Sequence, residues 1–257
     1  MNKAFIILLF LLPASLAFPL DPFNYFVEIK NFDKKVLHEK NSRFRLASSG
    51  EDFSLLETHY QKILKRHEKE GGKIIEIQTG AIGRPSRKEA PAAEFLSNTR
   101  FLNLDSSEIV QATQNMRTSD DTIKSVEEFV YARISDKTLG IPIIPAAQIY
   151  RNRRGDCTEH SVLALAMLRK LRVPSRAVVG MYLTDNFMNK KNIFVFHMWV
   201  EAFYKKKWRL VDATMPGKKH LNRYIAFAHH NLKTEAPLPY LRAVMGIQQL
   251  TAEYIDK

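Results

Sequence analysis

The chain contains one cysteine, Cys157, near the start of the stretch from Arg154 to Val179, RGDCTEHSVLALAMLRKLRVPSRAVV. Before it the sequence is basic and turn-prone (Arg151, Arg153, Arg154, Gly155, Asp156). After it Val162, Leu163, Leu165, Ala166, Leu168 and Leu171 recur at the i, i+3, i+4 spacing of a helix with a core-facing stripe. Pro174 stops that helix, and the Val-rich run from Arg176 to Leu183 predicts a buried strand. The thiol is therefore expected at a helix N-terminus, where unpaired amides and the macrodipole favour negative charge. With three arginines beside it, a pKa below the usual value of about 8.5 is expected, making Cys157 a thiolate near neutral pH.

Two later runs are aromatic and β-branched. Phe194 to Tyr204 (FVFHMWVEAFY) and Trp208 to Thr214 (WRLVDAT) flank Lys205, Lys206 and Lys207, which predicts an antiparallel hairpin with a solvated tip. An even-length loop, Lys205-Lys206 or Tyr204 to Lys207, sets Asp212 opposite Trp199. His197 is then the diagonal neighbour of Asp212 on the same face. A three-residue loop without a bulge would put them on opposite faces.

This order of cysteine at a helix start, histidine on a strand and aspartate on the next strand resembles the transglutaminase-like superfamily, relatives of the papain-like cysteine proteases. The resemblance is carried by Gly155-Asp156-Cys157, by Val173-Pro174-Ser175-Arg176 leading to Gly180, by His197-Met198-Trp199-Val200-Glu201 and by Trp208 to Thr214. Glu159-His160 and the HMW triplet are similar to exported bacterial members. The similarity covers residues 105–235. It implies an α+β fold, with helices packed on an antiparallel sheet, and a thiol enzyme. Cys157 would be the nucleophile, His197 the base and acid, and Asp212 the residue that orients the imidazole. Animal transglutaminases place a tryptophan before the cysteine as an oxyanion donor, whereas the tryptophans here are Trp199 and Trp208. The Cys157 amide is one expected donor, with Gln148 or Tyr150 as partner.

Other readings of these residues are weaker. An isolated cysteine is commonly a buried small hydrophobe, but the flanking Gly, Asp and Arg residues and the later motifs favour a nucleophile. His160 shares a helix face with Cys157, yet a base there lacks an orienting third group. A Cys-x-x-His zinc half-site would need two more ligands, and no second pair has suitable spacing. No metal or cofactor is expected, and no phosphate-cradling glycine loop occurs. His220, His229 and His230 read as surface residues.

Met1 to Ala17 has one Lys, an apolar core from Ala4 to Leu12, and a small-residue ending. It predicts a secretory signal cleaved after Ala17, and hence a periplasmic or secreted protein. In an oxidising compartment a lone thiol cannot pair within its own chain. Removing residues 1–17 deletes Lys3 and no acid, taking the formal charge from +12 to +11. Such a balance favours anionic partners, including acidic cell-envelope peptides steered by Arg151, Arg153 and Arg154. The basic runs are too short and scattered for nucleic acid.

Residues 18–80 are expected to form a small α+β module. Strands fall within residues 23–47 and at Lys73 to Gln78. An amphipathic helix is predicted over Glu51 to Glu70, ended by Gly71-Gly72, with His59 and His67 on its polar flank. Residues 81–104 read as a linker, richest in breakers from Gly80 to Pro91. In the core, residues 105–235, Asp105 and Glu108 form a capping box for a helix to Met116. Ser119 caps a second helix carrying Ile123, Val126, Phe129, Val130 and Ile134. Leu139 to Pro145 reads as a loop, and residues 236–257 as a tail packing on the core. The favoured activity is that of a cysteine peptidase or amidase, Cys157 attacking a peptide or isopeptide carbonyl. Protein-glutamine γ-glutamyl transfer and a non-catalytic envelope-binding role are the alternatives.

Overall fold

Long runs of β-branched and aromatic residues favour extended chain, and near-continuous apolar runs suit strands buried on both faces. β7 (Ser175–Phe187) and β8 (Lys190–Tyr204) are such runs. They pair antiparallel from Ser175 opposite Ala202 to Phe187 opposite Lys190. β9 (Lys207–Val211) joins the other edge of β8, from Val200 opposite Val211 to Tyr204 opposite Lys207. The turn is Lys205-Lys206, with φ of 50° and 60°, as a two-residue turn matched to strand twist requires. This even-length loop is the one that brings His197 and Asp212 to the same face.

The computed structural model describes residues 26–49, 53–69, 71–82, 91–116, 121–139, 143–217, 219–233 and 250–255. Residues 1–17, 83–90 and 236–249, which include the expected signal and parts of the expected linker and tail, lie outside them. The other strands of this sheet are β1 (Phe26–Lys30), β2 (Asn41–Ser48), β3 (Gln61–Lys69), β4 (Gly72–Gly80), β10 (Tyr224–His230) and β11 (Leu250–Ile255), while the short β5 (Asp136–Lys137) and β6 (Arg154–Gly155) pair apart from it. Their order in one sheet is β10-β7-β8-β1-β11-β2-β4-β3, with β9 also on β8. β1 joins the strands of residues 26–80 to β8, since Phe26 pairs with Val195. The sheet is antiparallel except at β1 and β11, which run parallel.

The expected helix over 51–70 is wrong: Gln61–Lys69 is strand β3, at the edge of the sheet beside β4. Gly71, with φ 83°, lies in the turn between β3 and β4 and Gly72 opens β4, so this pair does not end a helix. The period is obscured by a bulge between Ile63 and Lys65, which shifts side-chain alternation by one residue. The helix stripe was thus an accident of that irregularity.

The helices are α1 (Ser107–Thr113), α2 (Thr122–Arg133), α3 (Ala146–Asn152) and α4 (Cys157–Lys170), giving a mixed α+β fold. The α1 cap is Ser106, whose hydroxyl accepts from the Ile109 amide, whereas Asp105 reaches Lys170 instead. Asp121 is the N-cap residue of α2, and Ser119, the expected cap, lies outside the described residues. α3 was not anticipated, because Pro145 reads as a loop signal although it opens this helix. α4 is buried on every side from Cys157 to Arg169, not along one stripe. Its buried Arg169 spends its guanidinium on the carbonyls of Ser175 and Ser97.

Gly180 lies between His197 and Ala226 in the sheet, with no room for a side chain. A Cβ there would lie 2.0 Å from the Ile225 carbonyl oxygen and 2.9 Å from the Trp199 ring. Backbone cannot yield as a flexible side chain does. Gly180→Ala should therefore cost about 1–3 kcal/mol of stability through overpacking, measured by urea denaturation. An unchanged midpoint would contradict this contact.

Candidate active site

Cys157 is the first residue of α4, as its spacing predicted. The helix start is built by a capping box. Asp156 accepts from the Thr158 amide at 2.8 Å, and Glu159 accepts from the Asp156 amide at 2.9 Å. Gly155 is required beside it, for its φ is 151° and a Cβ would lie 2.4 Å from the Glu159 side chain. As the first helical residue, Cys157 has a backbone N–H with no acceptor inside the helix.

β8 receives this helix start through a gap in its edge. Among the described residues β1 pairs with Ile193 to Val195 and β9 with Val200 to Tyr204, and Met198 lies between these two stretches. The Ser161 hydroxyl donates to the Met198 carbonyl at 2.9 Å, and a backbone hydrogen bond from Met198 reaches the Cys157 side chain. α4 thus bonds the edge of β8 directly, and it sets the sulfur next to the residue that follows His197.

The hairpin supplies the other pair. His197 Nε2 lies 2.7 Å from Asp212 Oδ2, so Nδ1 is the ring nitrogen left for the cleft. Asp212 is fully buried and heavily bonded: the Thr214 amide and hydroxyl donate to Oδ1, and the Tyr224 hydroxyl donates to Oδ2 at 2.8 Å. Burial alone would raise its pKa, but His197, Thr214 and Tyr224 outweigh it and hold the carboxylate well below its usual range. The backbone at Asp212 is fixed from α2, where buried Glu127 accepts the Asp212 amide and pairs with Lys219. Trp199 stacks on the His197 ring at 5.8 Å and 23°. Tyr224, Thr214 and Glu127 were missed in the sequence. Thr214 alone had a local signal, standing two residues after Asp212 where a hydroxyl can bond back to the carboxylate.

Cys157 and His197 line one cleft of about 330 Å³, with Asp156, His160 and Lys137 at its polar end and Tyr182, Phe187 and Met215 among its apolar walls. His160 is on the cleft yet committed: Nδ1 lies 2.6 Å from the Asp156 carbonyl and Nε2 2.8 Å from Lys137 Nζ. The first is a donor and the second an acceptor in a neutral ring. Burial and the Lys137 charge push its pKa down to about 4, which agrees with that tautomer.

Several expectations are corrected here. Arg151 pairs with Glu108, Arg154 lies 3.7 Å from Asp136, and all three arginines are exposed and absent from the cleft wall. They do not act on the thiol. Instead burial and the Asp156 carboxylate push the Cys157 thiol well above its ordinary value, outweighing the Met198 bond. Gln148 is exposed on α3, and Tyr150 stacks with Phe129 beneath Arg133, so neither lines the cleft. His229 is not a plain surface residue, lying 3.1 Å from buried Glu201. Among the described residues no group of three His, Cys, Asp or Glu could hold a metal ion.

Residues 107–213 match the family model described as the transglutaminase-like superfamily. These residues form a transglutaminase-like core. None of the curated proteins matches the chain in sequence. Among solved structures, a candidate cysteine protease from Cytophaga hutchinsonii is similar at 13% identity and a TM-score of 0.51, over 90% of this chain and 85% of that one. At that identity the likeness concerns the fold alone. The periplasmic domain of TgpA from Pseudomonas aeruginosa is similar at 11% identity and a TM-score of 0.43, over 70% of this chain and 90% of that one. The transglutaminase-like core holds both strands of the hairpin and the whole of α4.

The upward shift of the thiol is testable. Absorbance titration of Cys157 should give a midpoint above about 8.5, so its alkylation by iodoacetamide should climb with pH through the alkaline range. Asp156→Asn, which keeps a capping side chain but removes the charge, should lower that midpoint. A thiolate plateau already present at pH 7 in the wild type would contradict the dominance of burial.

Proposed function

We propose that the transglutaminase-like core is a thiol acyltransferase acting on peptide or isopeptide bonds, with Cys157 as nucleophile, His197 as base and acid, and Asp212 as the orienting carboxylate. The observation that carries this reading is the 2.7 Å bond between His197 Nε2 and Asp212 Oδ2, on the cleft that Cys157 also lines from a helix start. Asp212 fixes the ring and compensates its positive charge once a proton arrives. Because burial disfavours a free thiolate, the proton leaves sulfur for His197 Nδ1 as the S–C bond forms. The backbone N–H of Cys157 is placed to stabilise the carbonyl oxygen as it gains charge. The imidazolium then protonates the departing amine, the C–N bond breaks, and an acyl-enzyme remains. Attack by water, deprotonated by His197, breaks the C–S bond and returns the proton to sulfur.

Water is the default acceptor at about 55 M unless the site excludes it. A cysteine peptidase or amidase is therefore favoured over protein-glutamine γ-glutamyl transfer. An exported setting, periplasmic or secreted, is part of the same proposal and rests on the signal-like residues 1–17. No described helix is long and apolar enough to cross a membrane.

A peptide-library cleavage assay, with and without added amine, tests the reading. Hydrolysis products and a trappable thioester on Cys157 are expected. Asp212→Asn should keep the fold and lower turnover by roughly 10² to 10⁴, and His197→Ala by at least as much. His160→Ala should cost far less turnover, since its nitrogens serve Asp156 and Lys137. Loss of acyl-enzyme in His160→Ala, with His197→Ala unaffected, would sink the assignment.

A further inference from the structure

Among the described residues the cleft has one lysine, Lys137, and its charge is unexplained by anything described so far. Lys137 belongs to the two-residue strand β5 (Asp136–Lys137), which runs parallel to β6 (Arg154–Gly155) with Lys137 opposite Gly155. That pairing carries the ammonium to the cleft two residues upstream of Cys157. Its partners are all uncharged: the Ile134 carbonyl at 2.7 Å, His160 Nε2 at 2.8 Å and the face of the Tyr131 ring at 4.8 Å. Among the described residues no carboxylate lies within ion-pair distance. The adjacent acid, Asp136, is spent on Arg154 and the Thr138 hydroxyl. Asp156, on the same cleft, is held by the Thr158 amide at the helix start.

We propose that Lys137 is a specificity-determining residue, and that its ammonium, fixed by Ile134 and His160, receives a carboxylate of the peptide whose carbonyl meets Cys157. A partly desolvated cation with neutral neighbours gains most from an anion brought by the ligand, because the protein offers it none. The apolar walls formed by Tyr182, Phe187 and Met215 suit the rest of such a peptide, and they lower the screening around the charge. His160 has a role in this account: its neutral ring, fixed to the Asp156 carbonyl, aims Lys137 across the cleft mouth. Acidic substrates thus remain favoured, but through Lys137 instead of Arg151, Arg153 and Arg154. The substrate class rests on the acyl-transfer reading above, whereas the anion subsite does not.

The test uses Cys157 as its own reporter. Iodoacetate and iodoacetamide alkylate the same sulfur and differ in one negative charge, so their rate ratio measures anion preference at the cleft without any turnover. Lys137→Met should lower that ratio about two- to five-fold, the size of one partly screened charge pair, and Lys137→Arg should restore most of it. An equal ratio in wild type and a folded Lys137→Met overturns the proposal. Should Lys137→Met fail to fold by circular dichroism, the wild-type ratio between 0.05 and 1 M salt carries the test: a fall supports the subsite and a flat response overturns it. Protection of Cys157 from iodoacetamide then identifies the carboxylate. Acetylated peptide amides bearing Glu or Gln test a side chain, and the Gln peptide with a free terminus tests the α-carboxylate. Protection by either acid above the neutral peptide supports the subsite, and protection by neither overturns it. If the ratio behaves as expected but no peptide is cleaved, the acyl-transfer reading fails and the anion subsite stands.

Discussion

The site depends on how α4 meets the edge of β8. A strand edge has backbone groups that must find partners when buried, and among the described residues neither β1 nor β9 pairs with Met198. Cys157 and Ser161, one helical turn apart, take up that duty. The i, i+4 spacing of a helix matches the N–H and C=O that one strand residue presents on one side. Packing and chemistry are therefore joined, since the contact that seals the sheet also sets the sulfur beside His197. It also explains why α4 has no polar face. A helix that substitutes for a strand in the sheet edge must be covered behind as well, and α1, α2 and α3 pack around it.

The hairpin makes the second contribution through register. Val200 opposite Val211 fixes Asp212 one step past the end of β9, opposite Trp199, and the diagonal pair with His197 follows from strand geometry. One further residue in the turn would have put the carboxylate on the α4 side of the sheet. Gly180 completes the arrangement from β7, because a side chain there would displace Trp199, which stacks on His197. The geometry of the pair is thus inherited from ordinary strand pairing, with Tyr224 and Glu127 anchoring Asp212 from β10 and α2.

Much of this was legible in the sequence, and the failures have physical reasons. The helix start at Cys157 and the strands around His197 and Asp212 follow from local pattern and spacing, whereas the length of the turn between them is settled only by the pairing of Tyr204 with Lys207. The segment 51–70 misled because a bulge in an edge strand shifts its alternation, so that residues meant for two faces resemble one helical stripe. The arginines misled because charge in sequence says nothing of direction: Arg153 has a left-handed backbone at the end of α3 and Arg151 turns to Glu108. Tyr224, Glu127 and Lys137 were invisible because each reaches the site from a separate element. No spacing rule connects Lys137 to Cys157 until β5 pairs with β6.

Two buried carboxyl groups near the thiol are driven in opposite directions, and the contrast bears on how the proposed reaction begins. Asp212 is held ionised below the usual range, so its contribution to stability is present above its unfolded pKa of about 3.9 and is lost as pH falls toward the depressed folded value. Glu159 is pushed up to about 8 by burial and by Asp156. Its neutral form is favoured by the fold, and the associated stability is complete below its unfolded pKa of about 4.3, then lost as pH rises through the folded value. Between these limits one carboxylate is charged beside His197 and the other is neutral beneath the helix start. Ionising Glu159 would add negative charge close to Cys157 and raise the thiol further. Higher pH thus helps the sulfur lose its proton while strengthening what retains it. A preformed thiolate is poorly served by such surroundings. Transfer to His197 during attack suits them better, because the imidazolium then forms against a carboxylate, Asp212, already ionised to receive its charge.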